Sequence, residues 1–117
     1  MSTDSILRQK SLAFAKRIVR LYQYLTAEKR EFVMAKQILR SGTSIGANVS
    51  EAIYGCSRKD FIAKLQIAWK EAAETLYWLE LLHSCEYIKE AAYRSLSQDC
   101  NELIAILVST VKTAEQN

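Results

Sequence analysis

Proline is absent from the 117-residue sequence, and glycine occurs only three times. Proline interrupts helices and is common in the turns and edges of β-rich and loop-rich domains, so its absence favours long helices joined by short connections. Half of the residues are apolar, and a chain of this length can bury one sizeable core. The composition therefore predicts one helical domain spanning residues 1–117.

Long apolar runs and paired cysteines are also absent. No segment approaches the roughly 20 apolar residues needed to span a bilayer, and the opening MSTDSILRQK is too polar for a signal peptide. Cys56, Cys85 and Cys100 form no C-x-x-C pair, which favours reduced thiols over a disulfide or a metal site. These features predict a cytoplasmic protein with no membrane segment.

Patterns that carry catalysis or bind metals are scarce. His83 is the only histidine and has no companion at metal-ligand spacing. Glu51, Glu71 and Glu74 fall short of a di-iron site, because such a bundle needs Glu-x-x-His on two helices. The sequence contains no phosphate-binding loop, no G-x-S-x-G motif and no Cys-His arrangement. We therefore expect no enzyme activity, no catalytic residues, no metal and no cofactor.

Apolar residues recur every three or four positions in four segments, as they do along one face of a helix. The four stripes are Leu7, Ser11, Phe14, Ile18, Leu21 and Leu25; Ala35, Ile38, Gly42, Ile45, Val49, Ala52 and Cys56; Phe61, Leu65, Ala68, Ala72, Leu76 and Leu79; and Ala92, Leu96, Cys100, Leu103, Leu107 and Val111. Four helices with short connections predict an all-α, antiparallel up-down-up-down four-helix bundle.

Capping residues predict where these helices begin and end. The first helix should span about residues 4–25, and Thr26 should cap a second helix that begins near Ala27. Gly55 should end the second helix in a left-handed conformation, and Ser57 should cap the third.

The segment RSGTSIGANVSEA, residues 40–52, has the composition of a loop but keeps the helical period. Each glycine costs about 1 kcal/mol relative to alanine inside a helix, so a packing advantage should offset Gly42 and Gly46. Because they lie four residues apart, both should face one neighbouring helix and let its backbone come close. Alanine at Gly46 should then lower the stability.

A polar stripe follows the same helix, formed by Gln37, Ser41, Ser44, Asn48 and Glu51. Hydroxyl and amide groups in mid-helix compete with the backbone unless they have partners. The stripe fits a hydrogen-bond network that fixes helix register, or a polar surface offered to a ligand or partner. Arg40 lies beside it, and its loss should damage folding or assembly more than binding.

The far end of the third helix, LYWLELL at residues 76–82, carries only one charge. A bundle helix needs one apolar stripe, and this segment is apolar nearly all round, so it should bury a second side against another copy. The interface residues predicted for a homo-oligomer are Tyr77, Trp78, Leu81 and Leu82.

Charge is distributed unevenly along the chain. Residues 1–70 contain 13 of the 16 Lys and Arg but only 5 of the 13 Asp and Glu, although the net charge is only +3. This division favours attraction between the two halves, a basic face, or both.

The sequence resembles the four helix bundle proteins, also called the 23S rRNA intervening sequence proteins or S23 ribosomal protein family. The resemblance covers nearly the whole chain and centres on the pattern R-x-x-x-S-I-x-x-N-[IV]-x-E. That pattern falls on Arg40, Ser44, Ile45, Asn48, Val49 and Glu51. The segments SRKDFIAKL and KEAAETLYWLELL also match.

The resemblance implies a bacterial cytoplasmic protein. A related branch, the accessory variability determinant of diversity-generating retroelements, forms a basic five-fold barrel that associates with reverse transcriptase and nucleic acid, so a pentamer is favoured. One hypothesis is therefore an oligomeric accessory protein that binds RNA or DNA backbone by charge. Its predicted contacts are Lys10, Lys16, Arg17, Arg20, Arg58, Lys59 and Lys64. The other hypothesis is a protein-binding scaffold that uses the aromatic end of the third helix or the 40–52 groove.

Overall fold

The computed structural model describes residues 2–117 and contains four helices. They are α1 (Thr3–Ala27), α2 (Val33–Ile53), α3 (Arg58–Ser84) and α4 (Glu90–Gln116). Each helix packs against the next along the chain, and α4 closes the ring against α1 in the smallest of the four contacts. The bundle measures 47 × 22 × 21 Å. The predicted all-α, antiparallel up-down-up-down four-helix bundle is confirmed.

The core follows the predicted stripes closely. Every stripe residue of α1 is buried, as are those of α2 up to Ala52 and those of α4 from Leu96 onward. In α3 the buried row continues from Ala72 through Thr75, Leu79 and Leu82, whereas the predicted Leu76 is only partly buried. A helix has 3.6 residues per turn, so the row alternates between steps of three and four.

The start of α2 was placed too early by the sequence. Thr26 belongs to α1, where its hydroxyl donates to the Tyr22 carbonyl over 2.9 Å. The cap of α2 is instead the carboxylate of Glu31, which accepts from the backbone N–H of Met34 at 2.6 Å. A negative charge satisfies a free N–H group there and complements the helix dipole. Arg30, with φ of 52°, provides the turn before it.

The connection between α2 and α3 is partly as predicted. The Ser57 hydroxyl accepts from the Asp60 N–H at 3.1 Å, which confirms the predicted cap. Gly55 is not left-handed, so that prediction is wrong. A side chain is disfavoured there for another reason, since a Cβ would displace the Asp60 carboxylate and lie 3.1 Å from the Ala52 carbonyl. Cys56 lies exposed beyond the end of α2.

The two glycines of α2 both face α1, as predicted. A Cβ at Gly42 would lie 2.8 Å from both Cγ atoms of Ile18, which is fully buried. A Cβ at Gly46 would lie 3.4 Å from the Ser11 carbonyl oxygen and hydroxyl, an ordinary van der Waals distance. The tight approach is therefore at Gly42, and the geometry does not support the expectation that alanine at Gly46 is destabilising.

We expect Gly42→Ala and Gly46→Ala to change stability in opposite directions. Both gain about 1 kcal/mol of helix propensity, but overpacking of a buried β-branched neighbour typically costs about 1–3 kcal/mol. Gly42→Ala should therefore lower the melting temperature, and Gly46→Ala should leave it equal or higher. Thermal unfolding followed by circular dichroism measures both. Equal stabilisation by the two changes would show that Ile18 yields freely and that the contact is not tight.

Candidate nucleic-acid interface

The seven predicted basic contacts do not form one surface. Four lie on α1 (Lys10, Lys16, Arg17 and Arg20) and three lie on the first turns of α3 (Arg58, Lys59 and Lys64). Within residues 2–117, α1 and α3 are diagonal helices with no Cα atoms within 8 Å of each other. The predicted up-down-up-down topology already implies this separation, because the first and third helices of such a bundle are diagonal.

The basic residues of α3 are mostly engaged within the chain. Lys64 forms a 3.0 Å ion pair with Glu51 of α2, and this hydrogen bond raises the pKa of Lys64. Arg58 donates to the backbone carbonyl of Asn117. Among the described residues, only Lys59 of this group makes no hydrogen bond or ion pair through its side chain, so one of the three predicted α3 contacts has free charge.

On α1, two basic residues hold the helix against α4. Lys10 forms an ion pair with Glu102. Arg17 forms a 2.7 Å ion pair with Asp99 and donates to the Ser95 hydroxyl over 2.9 Å. The expected attraction between the basic and acidic halves is thus present at the contact that closes the ring.

Beyond these pairs the same contact opens into a cavity of about 500 Å³, which we call the α1–α4 groove. Its floor is apolar and almost fully buried, formed by Leu21, Ile88 and Leu96. Its remaining lining consists of Arg17, Arg20, Tyr24, Lys89 and Ala92. The lining thus contains three cations and no carboxylate, although Asp99 neutralises Arg17 from just outside.

Arg20 and Lys89 supply the free charge of the groove. The side chains of both are exposed, and neither forms an ion pair within residues 2–117. Lys16, one turn before Arg20, is likewise exposed and unpaired within the described chain. Two cations above a floor of low polarity keep more of their attraction for an anion than they would on an open surface.

Lys89 and Tyr24 were not identified from the sequence. Lys89 immediately precedes α4, and Tyr24 is in the last turns of α1. A signal for their proximity was available, because in an up-down-up-down bundle the start of the fourth helix lies beside the end of the first. Tyr24 also continues the three-and-four spacing of Lys10, Arg17 and Arg20 along the edge of α1.

Arg40 of the family motif connects α2 to α3. Its guanidinium forms ion pairs with Glu71, at 3.0 Å, and with Glu74. The Trp78 indole N–H also donates to Glu74, over 2.9 Å. These hydrogen bonds, that of Arg40 first, lower the pKa of Glu74, and the bond to Glu74 raises the pKa of Arg40. The geometry agrees with the expectation of a structural role for Arg40.

Apart from the Glu51–Lys64 ion pair, the polar stripe of α2 forms one direct hydrogen bond to another helix within residues 2–117. The buried Thr75 hydroxyl of α3 donates to the Ser41 hydroxyl over 2.9 Å. Ser44 donates to the Arg40 carbonyl, and Asn48 donates to the Ser44 carbonyl, both within α2. Such local bonds satisfy mid-helix polar groups without a partner helix. Gln37 and Glu51 are exposed, and Glu51 forms the ion pair with Lys64 described above.

The aromatic end of α3 is only partly exposed. Tyr77 is 56% exposed and lies edge-on to Trp78, with ring centroids 4.9 Å apart. Trp78 and Leu81 are half-buried. Leu82 is fully buried in the core of this chain, so the prediction that it forms an oligomer interface is wrong. The last core step of α3 falls on this residue, and its side chain cannot also face a second copy.

Residues 2–117 contain neither a metal-binding cluster nor a membrane-spanning helix. No cluster of three or more His, Cys, Asp or Glu side chains in residues 2–117 could hold a metal ion. None of the four helices combines the length and the hydropathy needed to cross a bilayer.

Comparisons with known proteins agree with the resemblance noted above. The model of the 23S rRNA-intervening sequence protein family matches residues 3–109. A crystal structure of a protein with unknown function from the S23 ribosomal protein family of Bacteroides thetaiotaomicron VPI-5482 is 56% identical, with a TM-score of 0.94. The similarity covers 95% of this chain and 99% of that one. No curated protein matches the chain.

We expect Arg40→Gln to lower the free energy of unfolding by about 0.5–1 kcal/mol near neutral pH, because a half-exposed ion pair usually contributes that much to stability. The pKa of Glu74 is lower in the folded chain than its ordinary value of 4.5. The stabilisation is therefore complete above that value and is lost as the pH falls through the folded-state pKa. Urea unfolding at several pH values should show the difference from the original chain shrinking below about pH 4.

Lys36→Gln is the matched control for this prediction. It removes one positive charge from the same helix, and Lys36 has no ion pair within residues 2–117. A stability loss for Arg40→Gln that stays constant from neutral to acid pH would mean that Glu74 is not the partner responsible.

Proposed function

The chain belongs to the 23S rRNA-intervening sequence protein family, and from that premise we propose that it is a non-enzymatic accessory protein that binds the phosphate backbone of nucleic acid. The observation that carries the proposal is the α1–α4 groove, where Arg20 and Lys89 are free to pair with anions. Lys16 extends the positive charge onto the outer surface of α1. Of the seven basic contacts predicted from the sequence, the proposal keeps Lys16 and Arg20 as primary contacts and adds Lys89.

The chemistry of the groove favours binding over catalysis. Its lining contains no histidine, cysteine, aspartate or glutamate, the side chains most used as general bases, nucleophiles or metal ligands. Lysine and arginine that contact phosphates fix position but do not read base sequence. We therefore propose binding that depends on charge and tolerates any sequence.

We further propose that the protein acts as a homo-oligomer through the exposed side of α3 around Tyr77. An aromatic side chain that is more than half exposed beside the half-buried Trp78 and Leu81 suits the centre of a protein interface. Repetition of the groove in several copies would raise the local positive potential well above that of a +3 subunit. The resemblance favours five copies.

Arg20→Ala combined with Lys89→Ala should weaken the binding of RNA and DNA of all sequences to a similar extent. Each phosphate contact contributes about −0.7 to the slope of log affinity against log salt on single strands, so the double variant should flatten the slope by about 1.4. Fluorescence anisotropy with labelled mixed-sequence oligonucleotides at several salt concentrations measures both effects. Arg17→Ala should change the slope less, because Asp99 already neutralises Arg17.

Lys70→Ala combined with Lys112→Ala removes the same charge from exposed positions outside the groove and serves as the control. An equal loss in the control would point to a general effect of net charge. Failure of the original protein to bind single or double strands at ~50 mM salt would overturn the proposal in favour of a protein scaffold.

Light scattering at micromolar concentration should give a mass of several subunits, and Tyr77→Glu should reduce it to one subunit without loss of helical content. A charge at the centre of an interface is desolvated without a partner, whereas on a free surface it is harmless. Tyr77 is a cleaner probe than Trp78, whose indole bonds Glu74 within the chain. Tyr54→Glu, at a 77% exposed position beyond α2, is the control. A soluble monomer before any substitution would refute the oligomer.

A further inference from the structure

Tyr24 is the aromatic side chain of the α1–α4 groove. It is 38% exposed, and its hydroxyl makes no hydrogen bond to another part of residues 2–117. Around it lie the buried side chains of Leu21, Ile88 and Leu96. A ligand that offered only charge would leave the exposed part of Tyr24 unused.

The ring and the free cations have positions that suit one nucleotide. Arg20 and Tyr24 are four residues apart on α1, so their side chains are neighbours on one face, with Cβ atoms about 5–6 Å apart. Lys89 approaches from the start of α4 on the other side of the groove. The volume of about 500 Å³ is within the usual range for pockets that take small organic groups.

We infer that the α1–α4 groove takes single-stranded nucleic acid, with an unpaired base stacked on Tyr24 and the adjoining phosphates on Arg20 and Lys89. This inference rests on the proposed function and adds the class of nucleic acid to it. Every base has a π-face, so stacking on an aromatic side chain tolerates any sequence. In a duplex those faces are covered by neighbouring base pairs, and exposing one requires unstacking.

The inference predicts a selectivity that charge alone does not produce. A duplex carries a higher density of phosphates than a single strand and would bind a purely electrostatic surface at least as well. In the groove, a single strand gains the stacking contact on Tyr24, whereas a duplex gains only the phosphate contacts. The chain should therefore bind single strands more tightly than duplexes at salt concentrations that weaken the phosphate contacts of both.

Three labelled probes of equal length separate the contributions of base and phosphate. They are an oligothymidine strand, a DNA duplex, and an abasic strand that keeps the phosphates but has no bases. Tyr24→Leu removes the ring but keeps an apolar side chain, and Tyr24→Phe keeps the ring. Tyr54→Leu is the control, because Tyr54 is exposed and lies outside the groove lining. Fluorescence anisotropy gives the affinity, and thermal unfolding checks each variant.

Tyr24→Leu should weaken oligothymidine binding by about tenfold, the usual loss for one stacked base, and leave duplex and abasic binding unchanged. Tyr24→Phe should lose less oligothymidine affinity than Tyr24→Leu because it keeps the ring, and Tyr54→Leu should bind like the original chain. The original chain should also bind oligothymidine more tightly than the abasic strand, a comparison that does not depend on any variant folding.

Two results would overturn the inference while the proposed function stands. One is equal affinity of the original chain for oligothymidine and the abasic strand. The other is a loss on Tyr24→Leu that is absent, or that is the same for all three probes. Failure of all three probes to bind at ~50 mM salt would instead remove the proposed function, and the inference with it.

Discussion

The α1–α4 groove depends on the contact between α1 and α4 that closes the four-helix ring. It is the smallest of the four contacts between neighbouring helices, and Lys10–Glu102 and Arg17–Asp99 strengthen it where the helices meet. Half-exposed pairs contribute at most about 1 kcal/mol each, so they align the helices more than they stabilise them. Where the pairs end, the helices leave a groove with Arg20 and Lys89 unmatched.

The opposite side of α1 is packed in a different way. At Gly42 of α2 there is no room for a methyl group beside Ile18, so α1 and α2 meet through apolar side chain against bare backbone. Arg40, two residues earlier, fastens α2 to α3 through Glu71 and Glu74. The family motif on α2 thus contributes mainly contacts between helices. The α1–α4 groove is formed by residues outside that motif.

These two contacts explain how one helix can contribute both to stability and to the proposed binding. Along α1 the buried stripe packs into the core, and the edge formed by Lys10, Arg17, Arg20 and Tyr24 faces α4. Acidic partners on α4 neutralise the first half of that edge and leave the second half free. The proposed nucleic-acid contact therefore depends as much on where carboxylates are missing from α4 as on where cations occur on α1.

Sequence alone determined the number of helices, their order and nearly all of the core. Apolar residues that recur with the helical period of 3.6 residues mark the one face of each helix that is buried. It also placed Gly42 and Gly46 against a neighbouring helix without distinguishing them, identified Arg40 through the family pattern, and identified the Ser57 cap from its local chemistry. The tertiary structure decided which cations are free and that Leu82 belongs to the core. Such features depend on distances between separate helices. They include which charges pair, which side chain is buried, and the grouping of Arg20 with Lys89. Periodicity fixes which way a residue faces along its own helix, and only packing fixes which residue of another helix it meets.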